Sequence, residues 1–142
     1  MAYERSILDQ TAISASTLLQ QYRVVRVSAA GTGAPAVVHT TAASTAGNVR
    51  VFGVTQSAPT ASTSSTGKTC SVRTVGVTKV EASSAAIAVG TWLRATSGAV
   101  GTTTRLGGTV RTTTDFKSKI GLAMTSAAAG TGRRLISMDL RL

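Results

Sequence analysis

Residues 133–142 read RRLISMDLRL, and this stretch indicates the fold class because apolar side chains recur at every second position. One face of the stretch carries Ile136, Met138, Leu140 and Leu142, and this two-residue period is typical of a half-buried β-strand. Similar β-branched runs occur as QYRVVRV at 21–27, NVRVFGV at 48–54 and KTCSVRTVGV at 68–77. Gly, Ser and Thr separate the runs, as turns require. The sequence therefore predicts an all-β (mainly β) protein.

A short pattern occurs twice along the chain. Gly53-Val54-Thr55 is followed by small residues, then by Lys68 and an alternating strand. Gly121-Leu122-Ala123 is likewise followed by small residues, then by Arg133 and the stretch quoted above. Two units of this kind could pack as a small β-barrel or sandwich.

The domain organisation follows from length and from where the strand pattern is interrupted. The chain has 142 residues, which suits one domain. Residues 20–142 are expected to form this single β domain. Within it, residues 105–116 are rich in Thr and Gly and interrupt the strand pattern. We expect this segment to be an insertion.

Residues 1–19 lie outside the repeated strand pattern and are expected to form an N-terminal arm or a short helix. Apolar side chains outside a core need a cover, which either the domain itself or a partner supplies. The candidate contacts with a neighbouring subunit are Ile7, Leu8, Ile13, Leu18 and Leu19. If the segment is an arm that adds a strand to a partner's sheet, a chain starting near Gln20 stays folded.

The charge of the chain indicates an acidic partner. Fifteen Lys and Arg residues against five acids give a formal net charge of +10. The basic residues are spread singly along the sequence, with Arg133-Arg134 as an adjacent pair. A positive patch must therefore be assembled by the fold. Nucleic acid is one class of partner that this charge suits, although the sequence has no basic helix and no zinc-finger spacing.

Residue types that carry chemistry are scarce. His39 is the single histidine and Cys70 the single cysteine, and neither lies in a metal-ligand spacing. The five acids are scattered, and no serine lies in a Gly-x-Ser-x-Gly turn. We expect no enzymatic activity, no cofactor and no metal site. No stretch reaches the ~18 apolar residues of a membrane-spanning helix, so we expect no membrane contact.

The order of several short motifs resembles the small capsid decoration (cement) proteins of tailed bacteriophages. The resemblance covers roughly residues 20–142. It rests on YRVV at 22–25, FGV at 52–54, AIAVGTWL at 86–93, SGAV at 97–100 and IGLA at 120–123, followed by a basic last strand. Residues 1–19 and 105–116 depart from the pattern.

The resemblance implies a function. It implies a β-barrel-like domain that forms homotrimers on the outside of an icosahedral head and clamps neighbouring major capsid subunits. The protein would then be part of the virion exterior, made in the host cytoplasm, with the major capsid protein as its partner. No catalytic residue carries over from such a family. The alternative is a basic nucleic-acid-binding β domain, which we consider unlikely.

Overall fold

The computed structural model describes residues 7–15, 19–28, 35–40, 51–57, 66–96, 108–130 and 132–142. Within these ranges the regular structure is nine β-strands and one short 3-10 helix at Phe116–Ser118. The strands are β1 Leu8–Ser14, β2 Val24–Val27, β3 Ala36–His39, β4 Val51–Thr55, β5 Thr69–Glu81, β6 Trp92–Thr96, β7 Thr109–Thr112, β8 Gly121–Ala123 and β9 Leu135–Leu140. The predicted mainly β fold is confirmed.

The first five strands close into a barrel. β1 pairs in parallel with β3, β3 pairs antiparallel with β2, and β2 pairs antiparallel with β4. β5 closes the ring because it pairs antiparallel with both β4 and β1, through residues 69–75 on the β1 side. We call this ring the first unit. Closure leaves no strand of the ring with an unpaired edge.

β5 continues into a second ring. Its residues 76–81 pair antiparallel with β9, and β9, β8, β6 and β7 follow in that order, each antiparallel to the next. A parallel bridge between Ala82, directly after β5, and Val110 of β7 completes the ring. We call this ring the second unit. The long strand β5 is thus the last strand of one unit and the first of the next.

The two units have the same topology, strand for strand. In each, the first strand is parallel to the third and antiparallel to the fifth, and the second strand lies between the third and fourth. Register agrees as well, since Val25 lies opposite Gly53 and Leu93 lies opposite Gly121. Backbone hydrogen bonds repeat too: Tyr22 N to Thr55 O with Gly90 N to Ala123 O, and Ser14 N to Lys68 O with Ala82 N to Arg134 O. The pattern seen twice in the sequence is therefore a structural repeat.

The hydrophobic interiors of the two units correspond residue by residue. The core of the first unit contains Ala12, Leu19, Val25, Val37, Cys70 and Val72, with Phe52 packed against them. At the matching positions the second unit has Val80, Ile87, Leu93, Val110, Ile136, Met138 and Ile120, all in its own core. The side chains of the second unit are mostly larger. It therefore buries more apolar surface, at roughly 25 cal/mol per Å².

Two sequence expectations need correction. Residues 8–14 are neither a helix nor a detached arm in the structure, because they form β1 and pair with β3 and β5 of the same domain. The expected insertion at 105–116 contains β7 at its centre, and β7 matches β3 of the first unit. Residues 105–107 lie outside the described residues. Both segments were misjudged because their buried positions include small or polar side chains such as Ala12, Ser14 and Thr109.

Gly53 and its repeat partner Gly121 are required by close strand approach. A Cβ at Gly53 would overlap the carbonyl oxygen of Arg73, and one at Gly121 would lie 2.6 Å from that of Asp139. We expect Gly53→Ala to destabilise the protein by about 2 kcal/mol or more, because the obstructing atom is backbone. Gly132→Ala is the matched control, since a Cβ there meets nothing within 4 Å, and it should change stability by less than about 0.5 kcal/mol. Equal melting temperatures for the two variants in a thermal denaturation would contradict this reading.

Candidate interaction surface

The structure separates the apolar residues that the sequence grouped as candidate contacts. Ile7 and Leu8 are 59% and 48% exposed, whereas Leu19 is buried in the core of the first unit. Ile13 is half-buried and lies opposite Thr69 on β5 and Ala36 on β3. Leu18 lies outside the described residues. Of the original set, Ile7 and Leu8 are therefore the two described side chains that are available to a partner.

Leu8 belongs to a small exposed apolar surface at the junction of the two units. It lies opposite Val75 of β5, which is also exposed, and Ile7 precedes it in the chain. The register of β1 shifts between Leu8 and Asp9, and Thr74 Oγ1 donates a 3.1 Å hydrogen bond to the Leu8 carbonyl at that point. The irregularity fixes the position of Leu8 beside β5. The sequence could not place Val75 in this group, since the pairing is non-local.

Next to this surface, Asp9 and Arg73 form a two-pronged ion pair. Arg73 Nε and Nη2 donate to the two Asp9 carboxylate oxygens at 2.7 and 2.9 Å, while Arg73 Nη1 donates to the Val77 carbonyl at 2.8 Å. These hydrogen bonds hold the pKa of Asp9 below its ordinary value and raise that of Arg73. The charge of Arg73 is therefore largely neutralised by the Asp9 carboxylate. An open cleft beside it, lined by Tyr22, Gln56 and Lys79 among others, gains little positive potential from it.

A second surface lies on the outer side of the second unit. Leu93 and Ala95 of β6 point into the core, so the alternate residues Trp92 and Arg94 face outward. Trp92 lies opposite Leu122 of β8, and Arg94 lies opposite Arg111 of β7. We call this surface the Trp92 face; it comprises Trp92, Arg94, Arg111, Lys119, Leu122 and Arg141.

Cations surround the indole ring on this face. Lys119 Nζ lies 4.8 Å from the centroid of the Trp92 ring, and Arg141 Cζ lies 5.9 Å from it. Cation–π attraction of this kind is worth about 0.5–1 kcal/mol at an exposed site. Asp139 accepts a 2.8 Å hydrogen bond from Arg141 Nε and offsets part of the charge. The aromatic ring thus holds two long basic side chains in defined positions.

Arg94 and Arg111 place two positive charges side by side on this face, which lowers the stability of the protein when no partner is bound. Two like charges directly opposite each other on antiparallel strands repel, at a cost of roughly 0.2–1 kcal/mol. Arg94 Nε is buried and has no hydrogen-bond partner among the described residues. Asp115 on the following loop caps the 3-10 helix instead, since its carboxylate accepts from the Lys117 backbone N–H. The Trp92 face is therefore a basic surface that an anionic group would stabilise.

Trp92 and Arg94 lie two positions apart on one strand, and this spacing alone does not predict a basic face. A lone tryptophan in a strand is usually a core residue, and the half-buried position of Trp92 departs from that expectation. The partners Lys119 and Arg141 come from distant parts of the chain. No local spacing could have revealed them.

The two residues His39 and Cys70, which carry the chemistry most often used in metal sites, are both buried. His39 is buried, and its Nε2 accepts a 3.0 Å hydrogen bond from the Gln20 backbone N–H. Cys70 is buried in the first core, and desolvation raises the pKa of its thiol, which makes it less reactive. Across the described ranges, no three His, Cys, Asp or Glu side chains lie close enough to share a metal ion. In those ranges there is also no helix with the length and apolar character to cross a bilayer.

The fold is similar to that of a known phage structure. The crystal structure of the N base of the head fiber gp8.5 of bacteriophage phi29 matches with a TM-score of 0.58 and 20% sequence identity. The match covers 96% of this chain and 95% of that chain. No protein-family model and no curated protein matches this sequence. The likeness thus extends over nearly the whole of both chains, and at this identity it is a likeness of fold.

Proposed function

We propose that this chain is a structural protein of a bacteriophage head, where it decorates the outer surface and stabilises contacts between major capsid subunits. The observation that carries the proposal is the fold shared with a phage head fiber base over almost the full length of both chains. The order of sequence motifs, which resembles capsid decoration proteins, supports it independently. In this proposal the protein acts by binding, without catalysis and without a cofactor.

The physical character of the chain suits such a role. Its cores are built mostly from Val and Ala, so the stability gained per residue by burial is modest. Binding to a lattice of partners adds stability by mass action, because a partner that binds only the folded state shifts the folding equilibrium. We propose further that the protein is a homotrimer on the assembled head. The mass of the purified protein by light scattering tests this stoichiometry, and a stable dimer would contradict it.

The exposed residues Ile7 and Leu8 remain candidate contacts with the capsid or with a neighbouring copy. They lie at the start of β1, beside Val75, and together the three side chains form an apolar surface at the junction of the units. Contacts of this kind, repeated over a symmetric lattice, contribute to avidity without needing a large area in each copy.

The test is binding to phage heads that lack this protein. Purified protein mixed with such heads and sedimented through a gradient is expected to move with the heads up to a fixed ratio, and to raise the temperature at which the heads disrupt. Protein sedimented without heads, which should stay at the top, is the control. Heads that carry no protein after sedimentation, with an unchanged disruption temperature, would overturn the proposal.

A nucleic-acid-binding β domain is the second candidate, and the net charge of +10 is the observation that favours it. A protein that neutralises ~6 phosphates would lose about a thousandfold in affinity between roughly 50 and 200 mM salt. Submicromolar binding to a short duplex at physiological salt would favour this candidate over the first.

A further inference from the structure

The internal repeat gives each surface of the second unit a counterpart in the first, and one counterpart is already an interface. The outward side chains of β2 and β4 include Val24 and Val54, which lie opposite each other in the pairing of these strands. Both are fully buried, and both belong to the hydrophobic core of the second unit. Val51 packs against the same core. The outer β2–β4 face of the first unit is therefore covered by the second unit.

The matching positions of the second unit form the Trp92 face. Pairing places Trp92 and Leu122 where the first unit has Val24 and Val54. Both Trp92 and Leu122 remain half-exposed, whereas their counterparts are buried. The same surface of the same fold is thus covered in one unit and open to a partner in the other.

The residue types on the open face differ in a consistent direction. Three positions that are valine in the first unit are aromatic or basic in the second: Val24 corresponds to Trp92, Val38 to Arg111 and Val51 to Lys119. Arg94 corresponds to Arg26, so a basic residue is present there in both units. The face that is apolar and covered in the first unit is therefore basic in the second unit, with an aromatic residue at its centre.

We propose that the Trp92 face docks onto a carboxylate-bearing surface of a neighbouring protein. An acidic occupant would offset the repulsion between the guanidinium groups of Arg94 and Arg111, which lie opposite each other. This placement of the partner on the phage head rests on the proposed function.

The arrangement fits a protein better than a nucleic acid. Base stacking needs a free aromatic ring, but Lys119 Nζ already lies 4.8 Å from the centroid of the Trp92 ring. A protein surface can place its own carboxylates beside the arginines and its apolar groups against the indole.

The experiment compares two charge reversals in the full chain. Arg111→Glu puts an acid opposite Arg94, so it should leave the melting temperature equal or higher while weakening binding to heads that lack the protein by at least about tenfold. Arg26→Glu makes the same charge change at the position that corresponds to Arg94 in the first unit, and its binding should stay within about twofold. A loss of binding without a loss of stability is a result that a merely structural role cannot produce.

The possible outcomes separate the docking face from the proposed function. Equal binding by the wild type and Arg111→Glu would overturn the docking face while leaving the proposed function intact. A wild type that does not bind heads at all would overturn both. Equal loss in Arg26→Glu and Arg111→Glu would show a dependence on total charge alone and would also overturn the docking face. Tight binding of the wild type to a duplex at physiological salt, lost in Arg111→Glu, would assign the face to nucleic acid instead.

Discussion

A chain shortened to begin at Gln20 is expected to lose its cooperative unfolding transition. The deletion removes β1, which pairs with β5 over residues 8–13 and with β3 at Ile13 and Ser14. Without β1 the first unit is no longer a closed ring, and β3 and β5 each acquire an unpaired edge. Exposed strand edges of this kind are sites of aggregation. Measured by near-ultraviolet circular dichroism during heating, the shortened chain should show no sharp transition, or one far below that of the full chain.

The interior of the first unit explains why the effect is large. Ala12 is fully buried among Val25, Val37 and Val72, and Leu19 closes the same core. Removing a whole strand opens this core to water, and the loss exceeds that of any single large-to-small substitution, which is about 2–5 kcal/mol. If the shortened chain had the same melting temperature as the full chain, this prediction would be wrong and residues 1–19 would be an arm outside the domain.

A matched control keeps the strand and changes its exposed start. The double variant Ile7→Ser with Leu8→Ser alters two exposed side chains and leaves the backbone pairing in place. Its stability should change by less than about 0.5 kcal/mol per site. If it binds heads more weakly despite normal stability, Ile7 and Leu8 are contact residues; normal binding would remove them from the interface.

The sequence predicted the strands that alternate in hydrophobicity. β9 follows the period of Ile136, Met138 and Leu140, and β5 follows that of Cys70 and Val72, because large apolar side chains occupy these inward positions. β1 lacks this signal. Its inward positions are Ala12 and Ser14, whereas Leu8, one of its two large apolar residues, faces solvent. A hydrophobic period reveals a strand only where the inward side chains are large and apolar. The small inward side chains of β1 therefore produce no recognisable period in the sequence.

The repeat could be seen from the sequence in part of each unit only. Its fourth and fifth strands share the Gly53 and Gly121 motifs, since both glycines meet the same close approach of a neighbouring backbone. The third strands, β3 and β7, share no motif, and the connection before β7 is longer than that before β3. For this reason the sequence pattern alone places β7 within an apparent insertion. The Trp92 face could not be predicted either, because its residues meet through non-local pairing.

The second large effect is expected at the buried ion pair that joins the two units. Arg23 immediately precedes β2, Glu81 is the last residue of β5, and their side chains are 0% and 1% exposed. Arg23 Nη2 lies 3.1 Å from Glu81 Oε1, and Arg133 Nε lies 3.4 Å from Glu81 Oε2. The Glu81 backbone N–H also donates to the Tyr22 carbonyl at 2.9 Å, so both backbone and side chains link the units here.

Removing one partner of this pair is expected to cost about 3–5 kcal/mol, because it leaves a charge buried without compensation. Glu81→Leu should therefore lower the melting temperature by roughly 10–20 °C in a scanning calorimeter, at about 3–4 °C per kcal/mol for a chain of this size. Asp9→Asn breaks the partly exposed pair with Arg73 and is the matched control, with an expected cost of about 1 kcal/mol or less.

Replacing both partners, as Arg23→Met with Glu81→Leu, should recover most of the stability, since apolar side chains of similar volume can substitute for a buried pair. A double variant as unstable as Glu81→Leu alone would mean that the geometry of the junction, rather than the uncompensated charge, dominates the loss.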